Sequence, residues 1–257
     1  MPRLTDASAP GADAATRGRV AHAMEDDAIM HSIELIDTAE IPGGGELRLM
    51  RYGPEFSIEF GEDELMGSQA PQSEQALAEL AFRRLGKRAD RVLIGGLGMG
   101  FTLGAALAVF PAHTRIVVAE LVPQVVTWAK GPLAHLFSDY LSDPRVTIAV
   151  RDVHDVIAGA PGGFDAILLD VDNGPDGFIH PANDRLYCNW GLRDAYAALR
   201  PGGVLAIWSA YPDDAFVVRL EDAGFVVEET IIPDSGNSER SPYTIWLADR
   251  VEHAAFG

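Results

Sequence analysis

From Arg91 onward, short apolar runs that read as strands alternate with stretches of helical spacing: RVLIGG, RIVVAE, RVTIAV, FDAILLD, GVLAIWS, FVVEETII and YTIWLAD. A strand buried on both faces has few polar positions, and a helix between strands carries the chain back to the same edge. The alternation therefore predicts an α/β unit with a mostly parallel sheet covered by helices. The last two runs differ, because only PDSGNSERSP joins them. That is too short for a helical crossover, so they are expected to pair antiparallel, leaving the final strand of seven reversed.

Ahead of this pattern, HSIELIDT, ELRLMRY and EFSIEF carry apolar residues at period two, separated by IPGGG and GPE turns, and predict a small antiparallel β-sheet. Ser73 is expected to cap a helix through about Leu85, in which Leu77, Leu80, Ala81 and Leu85 share one face and Glu74 favours the positive end. Residues 1–29 are rich in Ala, Gly and Asp, with few large apolar side chains to offset the entropy of ordering, and read as a disordered tail. The expected division is a tail at 1–29, the small sheet at 30–72, the α/β domain at 73–250 and a tail at 251–257.

Charge narrows the partners. The 20 Lys+Arg against 38 Asp+Glu give −18, a field that repels phosphate backbones and anionic lipid and favours cationic ligands. Nucleic acid and membrane are not expected partners. Cys188 is the only cysteine, which excludes an intrachain disulfide and a multi-cysteine metal site, and the seven histidines show no metal-ligand spacing. With neither a secretory signal pattern nor an apolar stretch of about 18 residues, the expected location is cytoplasmic.

The first strand of the alternating region runs into Gly96-Leu97-Gly98-Met99-Gly100 and then a helical segment. Gly96, Gly98 and Gly100 allow a sharp turn with close ligand approach, and the helix start offers free amides. The dinucleotide form G-x-G-x-x-G fails here. Glu120 ends the second strand, where a carboxylate accepts from ribose hydroxyls. Asp152 follows the third strand; it suits the exocyclic amine of adenine, with the Val153 amide addressing the ring, and equally suits a helix N-cap. Asp170 and Asp172 share one side of the extended DVDNGP segment beyond the fourth strand. There they can hold an ammonium and take its proton, or instead cap a turn. In the following loop, His180 is either a general base or a surface residue. Tyr187 and Trp190 either wall a pocket for a cation or anchor the loop.

Seven strands with a reversed last strand resemble the class I S-adenosylmethionine-dependent methyltransferase-like (Rossmann-like) fold. Together with the small sheet, the Gly-rich turn, Glu120, Asp152 and the acidic loop from Asp170, the chain resembles the spermidine synthase-like family over roughly residues 31–250. The resemblance implies that Glu120 binds ribose, Asp152 binds adenine and Asp170 deprotonates an amine. It also implies acceptor-side or lid positions at Gln72, Glu74, Asn173, His180 and Tyr187, and dimer pairing through the exposed edges of the small sheet. Two positions depart from the family: its turn carries an Asp where this chain has Gly98, and its Tyr-His-Glu is here Gln72-Ser73-Glu74. The family's Asp holds the cofactor's amine and disfavours a carboxylate on the same carbon chain. Without it, ordinary S-adenosyl-L-methionine is acceptable as the donor. The expectation is a transferase that methylates a small amine; the alternatives are a polyamine aminopropyltransferase using decarboxylated S-adenosylmethionine, and a non-catalytic adenosine-cofactor-binding protein.

Overall fold

The computed structural model describes residues 33–69, 71–171, 174–175, 184–233 and 242–251. The expected tail at 1–29 lies outside them.

β1 (Ile33–Glu40), β2 (Glu46–Tyr52), β3 (Glu55–Phe60) and β4 (Asp63–Gly67) form an antiparallel sheet in chain order. The first three match the period-two segments. The fourth was not expected: it follows the tight turn at Gly61 (φ 59) and pairs with β3 through Asp63, Glu64, Met66 and Gly67. α1 (Gln72–Leu85) follows, and here the sequence expectation fails in one detail. Pro71 occupies the N-cap position and makes no side-chain cap, while Ser73 already lies inside the helix and donates instead to Glu74 Oε2 at 2.6 Å. With the helix starting at Gln72, the Gln75 amide two residues beyond Ser73 already donates to the Pro71 carbonyl at 3.0 Å and is not free for a Ser73 cap.

β5 (Arg91–Gly95), β6 (Arg115–Glu120), β7 (Val146–Val150), β8 (Phe164–Leu169), β9 (Leu199–Ser209), β10 (Val226–Ile232) and β11 (Tyr243–Asp249) build the second sheet, ordered β10-β11-β9-β8-β5-β6-β7. Strands β5 to β9 are mutually parallel, whereas β11 is antiparallel to both β9 and β10. The reversed last strand and terminal hairpin are as expected. Helices α2 (Phe101–Val109), α3 (Pro123–Lys130), α4 (Ala134–Phe137), α5 (Val153–Ala158), α6 (Asp184–Tyr187), α7 (Asn189–Ala198) and α8 (Asp214–Asp222), with short 3-10 turns at Gly86–Arg88 and Tyr140–Ser142, complete the described elements.

Alternation along the strands sorts the core into two layers. Val92 and Ile94 of β5 pack with Leu77, Ala78 and Ala81 of α1 and Leu103 of α2, and the same cluster takes in Leu47, Leu49, Phe56 and Ile58 of the small sheet. Leu93, between them in β5, points the other way, toward Ile157 of α5, Leu192 of α7 and Phe216 of α8. The small sheet is thus fixed to the large one by shared apolar packing. Asp37 adds a polar clasp, accepting from Trp128 Nε1 at 2.8 Å and Gln124 Nε2 at 2.5 Å, both on α3. Leu49 is fully buried, so truncating it to Ala costs about 2–5 kcal/mol. Among the described residues, no helix is long and apolar enough to cross a membrane.

Candidate active site

The parallel strands end on one edge, and the Gly-rich turn, Glu120, Asp152 and Asp170 gather there. The turn from β5 into α2 has Gly96, Gly98 and Gly100 at φ 89, 46 and 80. At Gly96 a Cβ would lie 2.3 Å from the Asp170 carbonyl oxygen, so glycine is what lets the end of β8 run beside the turn. At Gly98 a Cβ would lie 2.8 Å from both Sδ and Cε of Met66 in β4. The Met66 sulfur also accepts from the Met99 amide at 3.1 Å. The small sheet therefore reaches over the turn with a thioether.

Glu120 stands at the end of β6 with both carboxylate oxygens in use. Oε2 accepts from the Leu97 amide at 2.9 Å and Oε1 from the Val122 amide at 2.8 Å. Burial pushes its proton affinity up, and the amides of Val122, Leu97, Leu121 and Gly98 oppose that shift. Asp152 is the N-cap of α5, accepting from the His154 amide at 2.8 Å, which bears out the N-cap expectation. Its other oxygen is paired with the guanidinium of Arg185 on α6. Val153 opens α5 and buries its side chain against Gly95.

Asp170 and Glu74 form a different pair. The Thr102 hydroxyl, on the first turn of α2, lies 2.5 Å from Asp170 Oδ2 and 3.3 Å from the Glu74 carbonyl oxygen. Glu74 is buried and Asp170 partly buried, and among the described residues no Lys, Arg or His pairs with either. Burial first, and the charge of Glu74 second, push Asp170 up to about 7, with the Thr102 hydrogen bond pulling the other way. Burial likewise raises Glu74 against the Ser73 hydroxyl and a backbone amide. A carboxyl in this state can receive and release a proton near neutral pH.

The other expected positions are dispersed. Gln72 opens α1 beside Ser73 and Glu74. The Tyr187 side chain is buried, with its ring edge-on to Phe216 at 5.7 Å and its hydroxyl donating to the Val171 carbonyl at 3.3 Å, which is the anchoring arrangement. Trp190 is exposed and packs edge-on against His154 at 4.7 Å. Asp172, Asn173 and His180 lie outside the described residues. Thr102, Met66 and Arg185 were not singled out from the sequence. Of the three, only Thr102 had an available signal, a hydroxyl in the first turn of the helix that follows the Gly-rich motif.

No family model matches the sequence. Over 151 residues the chain is 33% identical to a polyamine aminopropyltransferase of Mycobacterium tuberculosis, a match covering 55% of this chain and 28% of that protein. Over 117 residues it is 32% identical to a polyamine aminopropyltransferase of Nitrosomonas europaea, covering 46% of this chain and 34% of the relative. The chain thus matches about a third or less of the length of these curated relatives. A solved spermidine synthase in complex with the transition state analogue AdoDATO superposes with a TM-score of 0.69 at 17% identity, covering 84% of this chain and 73% of that one. The spermidine synthase from Thermotoga maritima gives 0.66 at 16% identity, covering 84% and 72%. The chain shares its fold with the spermidine synthases. The spermidine synthase-like fold accounts for both sheets, and the carboxyl edge carrying Glu120, Asp152 and Asp170 is where ligands bind in open α/β sheets.

Proposed function

We propose that this chain is a transferase that moves an aminopropyl group from decarboxylated S-adenosylmethionine to a small aliphatic amine. The observation that carries the reading is the Asp170 and Glu74 pair, sunk into the sheet edge with no cation beside it among the described residues. Two carboxylates out of water are costly unless paired, so such a site favours a positively charged guest. An ammonium supplies that charge. Asp170, held up to about 7, is suited to take its proton, because general-base efficiency is greatest when the proton affinity of the base lies near working pH. The names of the curated relatives support amine chemistry. They also move the balance away from methyl transfer, the expectation drawn from Gly98.

The donor would supply a sulfonium whose adjacent carbon accepts the amine's electron pair as the carbon–sulfur bond breaks toward sulfur. The residues present fit it in placement: Glu120 and Asp152 stand at the ends of adjoining parallel strands, each with carboxylate lone pairs beyond those already used. Glu120 would hold the ribose hydroxyls. Asp152 would hold the adenine amine once Arg185 yields the oxygen it grips, and the Val153 amide would address the ring. Asp170 holds the acceptor's ammonium, takes one proton, and leaves the nitrogen lone pair free; orientation and exclusion of water do the rest. Asp172, Gln72, Asn173, His180 and Tyr187 are proposed around the acceptor or its covering loop. The edge strand β1, with exposed Ile33 and Leu35, would pair across a homodimer, which gel filtration tests.

One observation favours the second reading, methyl transfer from S-adenosylmethionine. Gly98 places no acid at the turn, and the neutral Met66 thioether covers that position, so nothing there repels a donor carboxylate. Supplying the two donors separately, each with a short aliphatic diamine, decides between them. Product from the decarboxylated donor alone supports aminopropyl transfer, and product from the intact donor alone supports methyl transfer. Donor binding without product under either condition supports a non-catalytic adenosine-cofactor-binding protein.

A further inference from the structure

Thr102 is buried and touches the two acids of the site in two ways. Its oxygen lies 2.5 Å from a carboxylate oxygen of Asp170 and 3.3 Å from the backbone carbonyl of Glu74. A hydroxyl has one proton to donate and lone pairs to accept with, so it cannot donate to both partners at once. The short contact has the length of a charge-assisted bond, which fits donation to an ionised Asp170. When Asp170 is protonated, its own O–H can donate to the Thr102 oxygen, and the threonine proton then has the Glu74 carbonyl to turn to. In both states the Thr102 proton has an acceptor, which a buried donor requires.

We propose that Thr102 is a positioning residue for Asp170: its hydroxyl donates to the ionised carboxylate and rotates to the Glu74 carbonyl when Asp170 carries a proton. Thr102 and the Glu74 carboxylate then act on Asp170 in opposite senses. The hydroxyl holds the ionised form, and the neighbouring negative charge disfavours it. Among the described residues, the titratable group facing Asp170 is Glu74 from α1; α2 contributes the Thr102 hydroxyl, and the Gly-rich turn contributes backbone at Gly96. This rests on the transferase reading only in taking the acceptor amine as the source of the proton. The proton passes from the ammonium to Asp170 and later to solvent, and none is consumed at Thr102.

The test is a carboxyl-carbon NMR titration of the full chain labelled at aspartate, with the Asp170 resonance assigned through Asp170→Asn. Thr102→Val is expected to raise the Asp170 midpoint by about half to one pH unit, as loss of one hydrogen bond to the charged form requires. Thr102→Ser should restore it, and Glu74→Gln should lower it. If Thr102→Val does not fold, Thr102→Ala removes the same hydroxyl. A midpoint unmoved by loss of the hydroxyl overturns the proposal, as does a serine variant that behaves like valine, since either result leaves Thr102 a packing role. The titration needs neither donor nor acceptor. Failure of every donor and amine to give product would therefore sink the transferase reading and leave this result standing. If turnover occurs, the acid limb of its pH profile should follow the same shifts.

Discussion

Glu120 and Asp152 stand at the same sheet edge as Asp170 and Glu74, yet the two pairs are compensated in opposite ways. Backbone amides of Leu97 and Val122 take both oxygens of Glu120, and an amide and a guanidinium take those of Asp152. Among the described residues, Asp170 and Glu74 receive only hydroxyls and a backbone amide, with no cation. The first pair is stable as it stands and can lend lone pairs to neutral hydroxyls and amines. The second lacks such compensation, and its raised proton affinities are the consequence. Burial alone therefore does not mark a reactive carboxylate; burial without a counter-charge does.

The comparison breaks most visibly at Asp170. Asp170→Asn should lower turnover with a competent donor and diamine by about 10²–10⁴-fold, with donor binding by calorimetry retained. An unchanged rate would remove Asp170 from the chemistry. The same variant tests the electrostatics without substrate. The folded-state proton affinity of Asp170 is raised from its ordinary 3.8 to about 7, so its contribution to stability is fully present below the unfolded value and is lost as pH rises through that window. Asp170→Asn should therefore raise the unfolding free energy above wild type at about pH 8, by up to about 1.4 kcal/mol for each pH unit of the window, and give little gain near pH 4. In the compensated pair, Glu120→Gln turns an NH2 group toward one of two amide donors and should cost about 1–3 kcal/mol in denaturant unfolding. Arg185→Ala sharpens the contrast: freeing Asp152 should tighten donor binding by several-fold, about 1 kcal/mol or less, because the released ion pair is partly exposed. Weaker binding would mean that Arg185 helps to hold the donor. The smallest effect is expected for Tyr187→Phe, about 1 kcal/mol or less in stability and no change in acceptor KM if the residue only anchors the loop.

Much of the fold was legible because strand burial writes itself into the chain at period two and glycine and proline mark the gaps. The bounds of β6 and β11 coincide with RIVVAE and YTIWLAD. Strand β4 escaped because DELMG opens on two acids and is only five residues long, too little for a periodic signal. Strand β9 starts at Leu199 rather than Gly203, since Leu199 already pairs with Phe164 and the ladder resumes at Val204 opposite Ala166 after a register shift in which Gly202 takes φ 78. In the site, strand-end acids were visible as types at positions, but their partners were not. Thr102 and Asp170 are 68 residues apart, and Arg185 and Asp152 33 apart, and single-sequence patterns carry no information about such pairs. Which acid is neutralised and which is not was therefore a property of the folded molecule alone.

Met66 gives the small sheet a further meaning. Its sulfur completes the hydrogen bonding of the Met99 amide and shields Gly98, so part of the Gly-rich turn is finished by a strand from the other sheet. A fragment cut to start at Pro71 would keep all seven strands of the larger sheet and still have an unfinished floor at the Gly-rich turn. Anyone grafting, shuffling or trimming this scaffold must therefore carry the two sheets together, and an oxidised Met66 would disturb that floor from outside the larger sheet.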